Sequence, residues 1–283
     1  MQTILTTLLL VMFLTAPLSA QELTGTLQQI QKSGKIKIGY RQSLPPMSSL
    51  NKDGKPEGFS IDLCGMIAAA VGDRVGSKIE VEYVPVTATE RFQALSDNRI
   101  DILCGATTKT LSRGEIVDFT QITFVTGAAF MTLKDTNIMN NFNGKKIGVV
   151  KDTTTHEALK DLFDDPDINA EIVLVDTTEN GLASLEKGDI DAFSADQVVL
   201  IGLALKSGQP ANYSILPNTI SYEPFALAVR RNDADFRLVA DRVISRLYRT
   251  GEIRRLYNKW FGLFSSQMPP AFEAVIKINA IPE

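Results

Sequence analysis

The chain has 283 residues, 44% of them hydrophobic and 22% charged, with a formal net charge of −4. That length can bury one large or two medium cores, and the composition excludes wholesale disorder. The acidic balance, with no Lys/Arg-rich run, argues against a nucleic-acid partner.

Residues 4–14 are apolar apart from two threonines, and Pro17-Leu18-Ser19-Ala20 ends on a small residue before Gln21. This reads as a secretory signal peptide over residues 1–20, with an uncleaved N-terminal anchor as the alternative. The apolar core is shorter than the ~20 residues that a membrane span needs. A helix follows over 23–32, stopped by Ser33-Gly34, and then a strand over 35–39 with Arg41 just past its end. Residues 59–71 carry apolar positions at helical spacing, 78–86 read as a strand, and a helix begins at Thr89 with Arg91 in its first turn.

The next segment, 99–120 (RIDILCGATTKTLSRGEIVDFT), organises the first half. Residues 100–103 form a short apolar run of the kind that makes a buried strand. Gly105 lets the chain leave sharply, and Ala106-Thr107-Thr108 then line the carboxyl end, where open α/β sheets bind ligands. Arg113 follows five residues after Thr108. Hydroxyls, free backbone groups and a planar guanidinium can receive a carboxylate. A surface loop with a solvated arginine fits the same residues equally well.

The pattern then recurs. Residues 145–150 repeat the first strand, 154–163 a helix opened by Thr154 and Thr155, 171–175 a strand and 179–186 a helix. Leu185, four residues, then Ile190-Asp191 copies Leu95, four residues, then Ile100-Asp101. Strands alternating with helices predict parallel doubly wound sheets, and the repeat predicts two similar lobes. Asp196 leaves the last of these strands, where it could bind a ligand or cap the helix after it. A strand over 225–230 and helices over 233–248 and 251–261 complete the elements.

The motif C-G-A-T-T-x-T-x-x-R-x-x-x-x-D-F-T over 104–120 resembles the signature of the periplasmic amino-acid-binding proteins of ABC importers, most closely their glutamate/aspartate branch. Supporting matches are Gly58-Phe59-Ser60-Ile61-Asp62-Leu63, Ala94-Leu95, Gly188-Asp189-Ile190-Asp191-Ala192-Phe193 with Asp196, and Gly251-Glu252-Ile253 with Trp260-Phe261. The resemblance implies a two-lobed α/β fold of the type II periplasmic-binding-protein kind, each lobe a mostly parallel sheet flanked by helices. It implies lobe 1 over 21–124 plus 224–283 and lobe 2 over 125–223, joined by two crossings near 123–127 and 220–223. By the same resemblance Arg113 and Thr108, with backbone near Ala106 and the helix start at Thr154 and Thr155, hold the α-carboxylate. Asp196 holds the α-ammonium, and Arg41 and Arg91 hold a distal carboxylate.

The sequence departs from that branch at Ala88 and Ala106, where serines are expected, and at Thr178, where a histidine is expected. In an oxidising compartment Cys64 and Cys104 could form a disulfide between a helix and the organising strand; two separate buried thiols are the alternative. The implied function is a periplasmic receptor, acting as a monomer, that delivers an acidic amino acid to a membrane permease without cofactor or metal. An enzyme resembling cyclohexadienyl dehydratase and a ligand-sensing domain are the alternatives. The sequence shows no paired carboxylates or histidines that mark a general acid.

Overall fold

A computed structural model describes residues 22–136, 138, 141–263 and 267–283. The predicted signal peptide lies outside the described residues.

Helix α1 (Gly25–Ser33) ends at Gly34 in the left-handed conformation and leads into β1 (Lys35–Tyr40). Three short strands, β2 (Ser43–Leu44), β3 (Ser48–Leu50) and β4 (Pro56–Glu57), make a small antiparallel sheet that the sequence did not mark. Helix α2 (Phe59–Val75), β5 (Glu80–Pro85), α3 (Arg91–Ser96) and β6 (Ile102–Cys104) follow. Then come β7 (Val117–Thr126), β8 (Ala128–Leu133), β9 (Lys146–Val150), α4 (Thr154–Phe163), β10 (Glu171–Val175), α5 (Thr178–Lys187), β11 (Ala192–Asp196) and α6 (Gln197–Lys206). The chain closes with β12 (Tyr213–Ile215), β13 (Glu223–Arg230), α7 (Ala234–Thr250), α8 (Glu252–Phe261) and α9 (Pro270–Ile278).

Two five-stranded sheets result, ordered β5-β1-β6-β13-β7 and β10-β9-β11-β8-β12. In each, only the fourth strand runs against the others. That reversed strand comes straight from the other sheet: β8 follows β7 through Gly127, and β13 follows β12. Two lobes are thus tied by two crossings. A Cβ on Gly127 would meet Ser221 O at 2.4 Å, so the crossings touch backbone to backbone.

The repeated Leu-x4-Ile-Asp pattern does the same job twice. In lobe 1 the Asp101 carboxylate accepts from Lys37 N–H at 2.8 Å, and Ile100 packs where a Cβ on Gly39 would meet its Cδ1 at 2.3 Å. In lobe 2 Asp191 accepts from Lys146 N–H at 2.8 Å, and Ile190 Cδ1 lies 2.4 Å from a Cβ on Gly148. Each aspartate closes the amino end of a parallel strand pair, and each isoleucine sits flat on a glycine in the neighbouring strand. Basic side chains complete both: Arg230 Nη2 reaches Asp101 at 2.8 Å and Lys145 Nζ reaches Asp191 at 3.0 Å. This fixes the register of both sheets and so directs their carboxyl ends at one cleft.

The C-terminal helices pack on lobe 1. Phe261 of α8 lies 4.8 Å from Phe124 of β7, and Phe272 of α9 lies 5.0 Å from the same ring. Trp260 Nε1 donates to Asp62 Oδ2 of α2 at 2.7 Å, joining two of the motifs marked in the sequence. Helix α9 carries no motif and was not anticipated. Cys64 of α2 and Cys104 of β6 form a disulfide with Cα atoms 6.4 Å apart.

Candidate functional site

The carboxyl ends of β1, β6, β9 and β11 face one cavity between the lobes. Arg41, Arg91, Ala106, Thr108, Arg113, Thr154, Thr155 and Asp196 all line it, together with Leu44, Val150, Thr178 and Val199. Cys64 and Cys104 lie behind it in lobe 1.

Three arginines dominate the lobe 1 wall. Arg41 is 7% exposed and Arg91 5% exposed, although arginine is seldom buried without a partner. Burial pushes the Arg91 guanidinium down to about 9, and repulsion from Arg113 and Arg41 adds to the shift while Asp152 opposes it. Burial also brings Arg41 to about 10, with Glu179 opposing. Arg113 is lowered by burial against the pull of Glu223 and Asp196. Phe92 lies against two of the cations, with Arg91 Cζ 4.4 Å and Arg113 Cζ 5.4 Å from its ring centroid. Nothing in the sequence marked Phe92, because an aromatic after an arginine at a helix start is ordinary core material.

The Arg113 guanidinium is aimed by its own loop, Nη1 donating to Thr108 O at 2.8 Å. The antiparallel bridge between Thr108 and Phe225 is made by the flanking pairs, Lys109 N–H to Pro224 O at 2.8 Å and Ala226 N–H to Thr107 O at 3.0 Å. Thr108's own N–H therefore lies outside that ladder. On lobe 2, Thr153 caps α4 by accepting from His156 N–H at 3.1 Å. The helix start at Thr154 and Thr155 opens onto the cavity with the positive end of its dipole.

Asp196 occupies the N-cap position of α6 and makes no capping bond. Its Oδ1 is buried without a partner. Burial first, then Glu223, raise its carboxyl well above 3.8, while Arg113 opposes. A carboxyl group so placed gains from a cation or donor brought to its Oδ1.

Glu223, which the sequence reading missed, lies beneath the cavity floor and is 1% exposed. It accepts from Thr108 Oγ1, from Thr154 Oγ1 at 2.7 Å and from Ser221 Oγ at 2.6 Å. This changes one expectation. The Thr108 hydroxyl hydrogen is committed to Glu223, so Thr108 can serve a carboxylate through its backbone N–H and not through its hydroxyl. The only available signal was an acidic residue inside the predicted crossing near 220–223.

The lobes are closed on one another. Thr89 Oγ1 donates to Asp152 Oδ2 at 2.6 Å, Arg91 Nη2 to Asp152 O at 3.2 Å, and Thr178 Oγ1 to Ser43 O. Among the described residues no group of three His, Cys, Asp or Glu side chains is arranged to hold a metal ion, and no helix is long and apolar enough to cross a membrane.

Two lobes hinged on two crossings, with a buried and charged cavity between them, define a binding protein that closes around a small polar ligand. Residues 36–263 match the model of the bacterial extracellular solute-binding proteins, family 3, and the chain belongs to that family. It is 32% identical to the L-glutamate/L-aspartate-binding protein of Pseudomonas aeruginosa, over 94% of this chain and 89% of that one. It is 30% identical to the glutamate/aspartate import solute-binding protein of Salmonella typhimurium, over 94% and 90%. The solute receptor for L-cysteine of Neisseria gonorrhoeae has the same fold, with a TM-score of 0.75 at 23% identity, covering 87% of this chain and 98% of that one.

Proposed function

We propose that this chain is a periplasmic, monomeric receptor that binds L-glutamate or L-aspartate between its lobes and delivers it to an ABC importer permease. The observation that carries the reading is the charge inventory of the cavity. Three guanidiniums line the cavity, those of Arg41 and Arg91 buried, against a single lining carboxyl group, that of Asp196. An acidic amino acid brings a second carboxylate to these guanidiniums, whereas a neutral one leaves buried arginines without an anion, which is costly.

The ligand's α-carboxylate meets Arg113, the Thr108 N–H and the α4 start at Thr154 and Thr155. Its ammonium meets Asp196 Oδ1, and its side-chain carboxylate meets Arg41 and Arg91. The names of the Pseudomonas and Salmonella relatives support an acidic ligand. Thr178, where that branch carries a histidine, is buried and lines the cavity, and Ala88, where it carries a serine, is buried outside the lining. The same arrangement supports binding over turnover. The arginines grip fixed charges, and Asp196 Oδ1, the one buried carboxyl oxygen without a partner among the described residues, is matched by the ligand's amine.

A thermal-shift screen of the twenty amino acids and small dicarboxylates tests the reading. A ligand at a hundred times its dissociation constant stabilises by about 2.7 kcal/mol. Glutamate or aspartate is expected to give the largest shift. Glutamine or asparagine matching the acids would overturn the reading.

A further inference from the structure

Glu223 stands where the second crossing enters β13, in contact with both lobes. Its Oε2 accepts from Thr108 Oγ1 of lobe 1 and Thr154 Oγ1 of lobe 2. Its Oε1 accepts from Ser221 Oγ, whose oxygen in turn accepts from Ala128 N–H at 3.0 Å. A carboxylate is an acceptor only, so each of the three hydroxyls commits its single hydrogen to Glu223. The two threonine oxygens, 3.2 Å apart and both lining the cavity, therefore present lone pairs to it. The same cavity is lined by Asp196, whose Oδ1 is buried and unpartnered. These groups offer acceptors to the cavity, while Arg41, Arg91 and Arg113 offer it donors.

We propose that Glu223 is the positioning residue of an amino-group subsite: by holding the Thr108 and Thr154 hydroxyls as acceptors, it makes that subsite select ligands that carry an ammonium. The inference rests on the reading of the ligand as an amino acid and goes beyond it by giving the selection to a residue that does not touch the ligand. Without the carboxylate, both hydroxyls are free to turn and donate into the cavity, and the subsite then tolerates a ligand with no amine.

The experiment compares each amino acid with its des-amino counterpart, L-glutamate with glutarate and L-glutamine with glutaramate, by calorimetry on the full chain. In the wild type the amino acid of at least one pair is expected to bind at least tenfold more tightly than its counterpart. Glu223→Met, of similar length but without an acceptor, should reduce that ratio at least tenfold, chiefly by weakening the amino acid. Glu223→Gln should reduce it less. Its amide oxygen can still accept from the two threonines if its NH2 turns to Ser221 Oγ, and a merely space-filling role would not rank the variants in this order.

A ratio for Glu223→Met within threefold of wild type overturns the proposal, as does a wild type that prefers no amino acid over its counterpart. If only the glutamine pair shows the effect, the acidic reading fails and Glu223 keeps its role. Should Glu223→Met not fold by circular dichroism, Thr108→Val decides. It removes the acceptor itself and is expected to collapse the same ratio, and a ratio that survives it refutes the proposal.

Discussion

Gly202 offers a substitution with opposite effects on stability and affinity. It lies inside α6 on lobe 2, and the three atoms nearest to an added Cβ all belong to lobe 1: Pro45 O at 2.2 Å, Pro45 C at 2.5 Å and Pro46 Cδ at 2.8 Å. Ordinary contact begins near 3.4 Å, so in Gly202→Ala the lobes must part by about 1 Å at this point. The obstacle is backbone and a proline ring, which cannot rotate away. Parting breaks the Thr178–Ser43 bond and stretches the one from Thr89 to the Asp152 carboxylate. A neutral hydrogen bond contributes about 0.5–1.5 kcal/mol and one to a charged group about 1.5–3. The closed state should lose about 2–4 kcal/mol, a weakening of ligand affinity between about thirtyfold and a thousandfold. In the open, unliganded protein the same change replaces a helix-interior glycine by alanine, worth about 1 kcal/mol, or a rise in melting temperature of about 2–4 °C. Calorimetry and a thermal melt without ligand measure the two effects, and small-angle scattering should find the variant wider than wild type at saturating ligand. Affinity within threefold of wild type, or a lowered unliganded melting temperature, would refute the closure geometry.

Arg113→Ala should abolish measurable binding while circular dichroism stays native, because it removes a charge-assisted clamp worth at least about 3 kcal/mol and leaves a buried carboxylate unpaired; unchanged affinity in a folded variant would exclude the clamp. Mass spectrometry of exported protein without reductant should show Cys64 bonded to Cys104, and reduction should cost about 4 kcal/mol of loop-closure entropy over their separation of 40 residues; two alkylatable thiols would contradict the packing of α2 on β6. In the closed lobes without ligand, burial and Glu223 raise Asp196 above 3.8, so its contribution to the stability of that arrangement is full below 3.8 and is lost as pH rises through the raised value. A ligand ammonium favours its ionised form, so binding should release a proton and affinity should rise with pH up to that raised value. Calorimetry in buffers of different ionisation enthalpy should detect the proton, and Asp196→Asn should abolish its release. Equal heats in all buffers would rule out this coupling.

What could be read from the sequence follows from how local each feature is. Residues 100–108 and 190–196 announce strands and their exits because apolar runs, glycines and aspartates act within a few residues. The Ile-Asp pairs proved to be register devices, each bound to a strand amide through Lys37 or Lys146. Arg113 was legible as a candidate clamp because Thr108, which orients it, is five residues away. Glu223 was not legible, since its partners Thr108 and Thr154 are 115 and 69 residues distant. The Thr178–Ser43 contact, 135 residues apart, escaped for the same reason. The small sheet β2–β4 was missed because strands of two or three residues carry no periodicity to detect. The return of the chain to the first sheet through β13 came from family resemblance, as no pattern in residues 223–230 says which sheet they join.

The duplicated frame also explains how one cleft can hold a zwitterion in a fixed direction. Counting from Ile100 and Ile190, the ends of β6 and β11 place Ala106 and Asp196 at equivalent positions. Counting from Gly39 and Gly148, the ends of β1 and β9 place Arg41 and Val150 at equivalent positions. The backbone is repeated while the charges are not: Arg41, Arg91 and Arg113 all belong to lobe 1, and the unpartnered carboxyl of Asp196 belongs to lobe 2. In the proposed placement a ligand's side-chain carboxylate is therefore drawn to lobe 1 and its ammonium to lobe 2. An anion can dock on lobe 1 alone, but only a ligand that also carries an amine gives lobe 2 a charge to close upon, because burying Asp196 without a cation is unfavourable. The free energy of pairing Asp196 is available only in the closed state, and this difference between states lets a ligand shift the lobes. A symmetric distribution of the same four charged groups would bind as many ions and would give closure no preference for an amino acid.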